Sequence, residues 1–207
     1  MSEALPSAWH VVRRVWSYRG EERANLMRIL AIACFYAVEL INYHGLDLGF
    51  VTFERVEGVD QTFHAAVTAL TVAWMASAVG VIITMRSRRF PEALKFVTTS
   101  VDIVLLTAIL LIADGPKSPL VIAYFVILAG APLRLSAPLV RYTTMATIIG
   151  YVVLVGDAWL RRPELRVPRY QQIMTVLALG LAGLALGQLM KALREAADAY
   201  AARKEMS

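Results

Sequence analysis

The chain has 207 residues, a hydrophobic share of 58% and a formal net charge of +5. That share lies above the roughly 45–50% typical of soluble domains, which argues against an ordinary soluble enzyme core. The basic residues flank apolar segments rather than forming one stripe, which excludes a nucleic-acid surface, and the single cysteine, Cys34, excludes an intrachain disulfide or a cysteine-rich metal site.

At the start of the chain Trp9, Val12 and Trp16 recur at helical spacing beside Arg13, Arg14 and Arg19. The pattern predicts a short amphipathic helix in a membrane interface, within a basic leader over residues 1–25. No apolar h-region of a cleavable signal is evident, so the first span serves as its own insertion signal. Apolar runs long enough to approach the ~20 residues needed to cross a bilayer then follow at 26–43, 63–85, 96–113, 118–133, 140–160 and 173–190. The expected fold is therefore all-α, a polytopic membrane helix bundle of about six transmembrane helices over 26–190. A five-span version remains open, because the fourth run is short and Pro132, Arg134 and Pro138 blur its end.

Between the third and fourth runs stands Asp114-Gly115-Pro116-Lys117-Ser118-Pro119-Leu120. Gly115, Pro116 and Pro119 break a helix, so the two runs form a hairpin. Gly115 is expected to supply a backbone conformation closed to other residues, and Pro119 to open the fourth helix, where a missing N–H costs nothing. The sixth run passes without Gly or Pro into a cytoplasmic helical tail, 191–207. Leu186, Leu189, Leu193, Ala196 and Tyr200 follow seam spacing there for about two heptads. Gly183 and Gly187 form a GxxxG pair, extended by Gly180, which suits either intrachain packing or a homodimer.

Orientation follows the basic residues. Arg13, Arg14, Arg19, Arg23 and Arg28 precede the first span, Arg86, Arg88, Arg89 and Lys95 follow the second, and Lys191, Arg194, Arg203 and Lys204 lie in the tail. With six spans all three groups share one side, which predicts an inner-membrane protein with both termini cytoplasmic. The loop 44–62, with Asp47, Glu54, Glu57 and Asp60, lies opposite. The loop with Arg161, Arg162, Arg166 and Arg169 contradicts the rule by falling outside.

Polar residues within apolar runs are costly in lipid and therefore worth a functional reading. Glu39, His44 and His64 fall near one depth at the outer side, where a haem b, metal or quinone head group is one reading and snorkelling, hydrogen-bonded side chains the other. Asp102 lies in the third run and is expected to pair with a Thr, a Tyr or a basic side chain in the bundle. No P-loop, HExxH, GxSxG, kinase signature or CxxC occurs, and no histidine follows His64. No enzymatic activity is expected.

The stretch from Asp102 to Leu135 resembles the membrane half of six-span bacterial sensors, especially redox-responsive histidine kinases of the RegB type. Those carry a Gly-Gly-x-x-Asn-Pro-Phe motif in the outer turn, associated with quinone sensing. Gly115 and Pro119 match it, while Asp114, Ser118 and Leu120 stand in place of Gly, Asn and Phe. The resemblance implies a possible quinone turn at Gly115, Ser118 and Pro119. With no kinase domain expected, the chain reads as a sensor-like input or transducer module acting on a cytoplasmic partner through Lys191–Ser207. A small redox-complex subunit is the rival reading, and a transporter a weaker one.

Overall fold

The computed structural model describes residues 8–47, 52–53, 61–87 and 93–205, and side chains at 18–45, 61–87 and 93–196. Glu54, Glu57, Asp60, Arg88, Arg89 and Ser207 lie outside the described residues. The side chains of Trp9, Val12, Arg13, Arg14, Trp16, Asp47, Tyr200, Arg203 and Lys204 do so too.

Helix α1 (Ala8–His44) and helix α2 (Gln61–Arg86) form an antiparallel hairpin. Its register is fixed by three cross-helix contacts in sequence: Asn25 Nδ2 donates to Ala78 O at 3.1 Å, Tyr36 and Thr68 hydroxyls meet at 3.0 Å, and Glu39 meets His64 at 3.0 Å. The connection holds a two-residue ladder, β1 (Leu46–Asp47) against β2 (Thr52–Phe53). Helix α3 (Leu94–Ile112) leads into the Gly-Pro turn, a fourth helical segment returns, and α5 (Ala137–Leu160) and α6 (Arg169–Glu205) complete the bundle.

Five helices are long and apolar enough to cross a membrane. Their outward faces carry large apolar side chains at more than half exposure, among them Leu30, Val72, Ile83, Val104, Ile149 and Leu181. Such a continuous apolar surface is a liability in water and a natural boundary in hydrocarbon. Hydroxyls inside the helices are satisfied locally: Thr99, Ser100, Thr107, Thr143 and Thr144 each donate to the carbonyl four residues back. The core lies between α3, the fourth segment, α5 and α6, where Leu106, Leu110, Tyr124, Leu128, Leu154 and Leu179 are fully buried.

Two expectations change. The leader and the first span are not separate elements, because α1 runs unbroken from Ala8. Hydropathy places the span start at Leu26 because Glu21, Asn25 and Arg28 precede or interrupt the apolar run. Those three share one helical stripe and are buried, while Leu26, Met27 and Leu30 face outward. The polar residues are interior ones, so the helix continues past them.

The fourth run is not one α-helix. It consists of a 3₁₀ turn (Pro119–Ile122), α4 (Ala123–Gly130) and a second 3₁₀ turn (Ala131–Arg134). Pro132 has no N–H to offer Leu128 O, and its ring clashes with that carbonyl in an α-helix, so the chain tightens and Ala131 N bonds Leu128 O instead. At ~2.0 Å per 3₁₀ residue and ~1.5 Å per α residue the whole segment covers about 28 Å, close to the ~28 Å of α3. It therefore returns the chain to the level at which α3 begins, where Arg134 Nη1 donates to Lys95 O at 3.0 Å. Leu135, at φ 48°, then turns the chain into α5.

The bundle thus has a basal end, where α1 meets Leu133 and Arg134 and where Met190 packs with Ala131, Leu139 and Val140. Its distal end holds the His64 pair and the turn at Gly115.

Candidate functional site

The densest polar chemistry among the described residues lies toward the basal end. Asp102, on α3, faces both α1 and α2. Its Oδ2 accepts from Arg28 Nη2 at 2.8 Å and Arg28 Nε at 3.1 Å, and its Oδ1 accepts from the Trp74 indole at 2.7 Å. Arg28 Nη1 also donates to Asn25 Oδ1 at 3.1 Å, and Asn25 in turn donates to α2. Both charges are buried, and the pair persists because all three guanidinium nitrogens of Arg28 and both carboxylate oxygens of Asp102 have hydrogen-bond partners.

A second buried pair adjoins it. Arg134 Nε stands 2.9 Å from Glu21 Oε2, and Arg134 Nη1 donates to Thr99 Oγ1 at 2.6 Å. Glu21 is 1% exposed, and its Oε1 has no hydrogen-bond partner among the described residues. Gly20 permits this arrangement: a Cβ there would collide with Leu133 O, so only a glycine lets α1 approach the end of the fourth segment so closely. Arg28, Trp74, Thr99, Asp102 and Arg134 line a cavity of about 50 Å³ together with Ala24 and Gly130. That space admits a few waters.

Asp102 pairs with a basic side chain, one of the partner types expected for it. Its partner Arg28, the second pair Glu21–Arg134 and the indole of Trp74 were not evident from the sequence as site residues. The available signal was the spacing of Glu21, Asn25 and Arg28, which places polar groups on one stripe of an otherwise apolar helix.

At the distal end Glu39, His44 and His64 do come together. His64 Nδ1 lies 3.0 and 3.2 Å from the two oxygens of Glu39. Tyr43 stacks on the His64 ring at 4.0 Å between centroids, and His44 stands edge-on to His64 at 6.2 Å. The Tyr43 ring covers the imidazole face, and no group of three His, Cys, Asp or Glu among the described residues is arranged to hold a metal. The cluster is a hydrogen-bonded group with stacked rings.

The turn is held from the α5–α6 connection. Gly115 has φ +55° and is buried; Arg162 Nη1 donates to Ala113 O at 3.0 Å, and Lys117 Nζ to Glu164 O at 2.6 Å. Arg162 is itself paired with Asp157 at 2.7 Å. The Ser118 hydroxyl accepts from Leu120 N at 3.2 Å, so Ser118 caps the segment that Pro119 opens. Arg162 and Leu165 lie 3.7 and 3.8 Å from where a Gly115 Cβ would stand. Of the residues read as a quinone turn, Ser118 and Pro119 thus begin the fourth segment and Gly115 lies against the α5–α6 connection, while Arg162 and Lys117 join the two connections.

Gly183 lies against Thr144 of α5, closely enough that a Cβ would overlap the threonine side chain. Nothing lies within 4 Å of a Cβ at Gly180 or Gly187. The central glycine of the stripe therefore serves packing within the chain.

No family model, curated protein or solved structure matches this chain.

Proposed function

We propose that the chain is a six-pass inner-membrane transducer without enzymatic activity, basal end toward the cytoplasm, passing a conformational signal through α6 to a cytoplasmic partner. One observation carries the reading: α6 runs without interruption from its apolar part, Arg169–Ala196, to Glu205. Its Met190 packs on Ala131, Leu139 and Val140, at the junction of the fourth segment and α5. The Glu21–Arg134 pair ties that same junction to α1, Arg134 reaches α3 through Thr99, and Arg28–Asp102 joins α1 to α3 beside them. A displacement of the fourth segment is felt by α1 through Arg134 and by α6 through Met190, so the exit helix has a lever to respond to. The similarity of the 114–120 turn to the outer turn of RegB-type sensors favours the same class. In this reading the turn acts as a clamp between connections rather than as a quinone pocket.

The test uses helical phase. A partner is first recovered on the tail 191–207 as bait. One residue inserted after Met190 rotates the tail by about 100°, and seven nearly restore it, with about 20° of drift. A transducer loses output with one added residue and regains it with seven. Equal output from both insertions, or no effect of deleting 192–207, overturns the reading. A Soret band in the purified protein that vanishes in His44→Ala or His64→Ala replaces it with the redox-subunit reading.

A further inference from the structure

The connection between α5 and α6 holds three arginines, Arg161, Arg162 and Arg166, and a single carboxylate, Glu164, and α6 opens on a fourth, Arg169. Arg162 is spent on Asp157 and on the turn. Arg161, Arg166 and Arg169 are exposed and form no ion pair among the described residues. Arg166 and Arg169 are nevertheless held in place. Their guanidinium carbons lie 4.7 and 5.8 Å from the centre of one ring, that of Trp159, and Arg166 Nη2 donates to Trp159 O at 2.8 Å. Two like charges beside one indole repel each other, and a bound anion relieves that repulsion. Trp159 is the penultimate residue of α5. Beside it Leu160 is 85% exposed and Tyr170 is 67% exposed, an apolar and an aromatic side chain at the ends of two helices able to cross a membrane. Aromatic and basic residues together at that level form a headgroup-depth belt.

We infer that Arg166 and Arg169, both within cation–π range of Trp159 and supplemented by Arg161, form a binding site for the phosphate of an anionic phospholipid in the adjoining leaflet. The guanidinium forks match phosphate oxygens, the ring holds the forks in position, and Leu160 meets the start of the acyl chains. The inference uses only the membrane setting of α5 and α6, not the transducer reading. Its test is independent of orientation and output.

The full-length protein in detergent is titrated with phosphatidylglycerol, phosphatidylcholine or inorganic phosphate, and binding is followed by native mass spectrometry. Phosphatidylglycerol should be retained in preference to phosphatidylcholine. Arg166→Ala/Arg169→Ala should weaken its tightest binding about thirtyfold, the worth of two interfacial arginines. Trp159→Leu should weaken it too, since the forks lose their platform, whereas Arg194→Ala at the opposite end should leave it unchanged. Arg166→Lys/Arg169→Lys keeps the charge and serves where the alanine variant fails to fold; it should lose part of the affinity, with helical content preserved by circular dichroism. Equal retention of the two lipids, full retention by the lysine variant, or displacement of the lipid by inorganic phosphate would each overturn the inference, the last by marking a free-anion site.

Discussion

Arg28 and Asp102 stand 74 positions apart in the chain and 2.8 Å apart in the bundle, and both are buried. Each is the reason the other is tolerated there. Asp102→Ala should destabilise the protein by about 3–5 kcal/mol, because Arg28 is left as an uncompensated buried charge. Arg28→Met/Asp102→Leu should recover much of that loss. Thermal or denaturant unfolding in detergent, run as a double-mutant cycle, reads the coupling; additive losses from the two single substitutions would contradict it.

The turn gives a second expectation. Gly115 sits at φ +55°, a conformation that costs an L-residue about 1–2 kcal/mol. Gly115→Val should lower the melting temperature with no ligand present, and Gly115→Asn should be milder, because asparagine tolerates this region better. Unchanged stability in Gly115→Val together with loss of a quinone response would restore the turn as a binding site.

Packing of the last helix is tested by three glycines. Gly183→Val should destabilise the monomer through its clash with Thr144, while Gly180→Val and Gly187→Val meet open space. The comparison is made at several protein concentrations. A loss confined to conditions where the protein dimerises would assign Gly183 to an interface between copies.

Orientation is tested by accessibility. In a Cys34→Ala background, Lys117→Cys should react with a membrane-impermeant maleimide added outside the cell. A reporter fused after Ser207 should be active only as a cytoplasmic marker. Labelling of position 117 solely after lysis would invert the proposed topology.

The sequence reading succeeded where one segment decides its own structure. Apolar runs mark the long helices, and Gly115 and Pro119 mark the hairpin, because length, hydropathy and backbone restriction are local properties. It fell short where the outcome depends on what lies opposite. Pro132 marks an irregularity near the end of the fourth run, yet the stretch reads as one span when it is a short α-helix between two 3₁₀ turns. Arg28 and Arg134 read as flanking charge, since nothing in a hydropathy profile states that Asp102 and Glu21 await them. Asp102 stood out because a lone acid in an apolar run has no innocuous explanation. Glu21 did not, because its neighbours Arg19, Glu22 and Arg23 make it look like one more interfacial charge.

The two 3₁₀ ends of the fourth segment are not equivalent, and the difference bears on how the bundle meets bilayers of different thickness. At the distal end the proline is the first residue of its turn, where an α-helix accepts it; rewinding Pro119–Ile122 into α-helix shortens the segment by about 2 Å. At the basal end Pro132 lies within the helical run and forbids the same change. Hydrophobic mismatch, which many helices absorb by tilting as a whole, is therefore expected to be taken up here near Ser118, while Arg134 and the buried pairs beside it keep their depth.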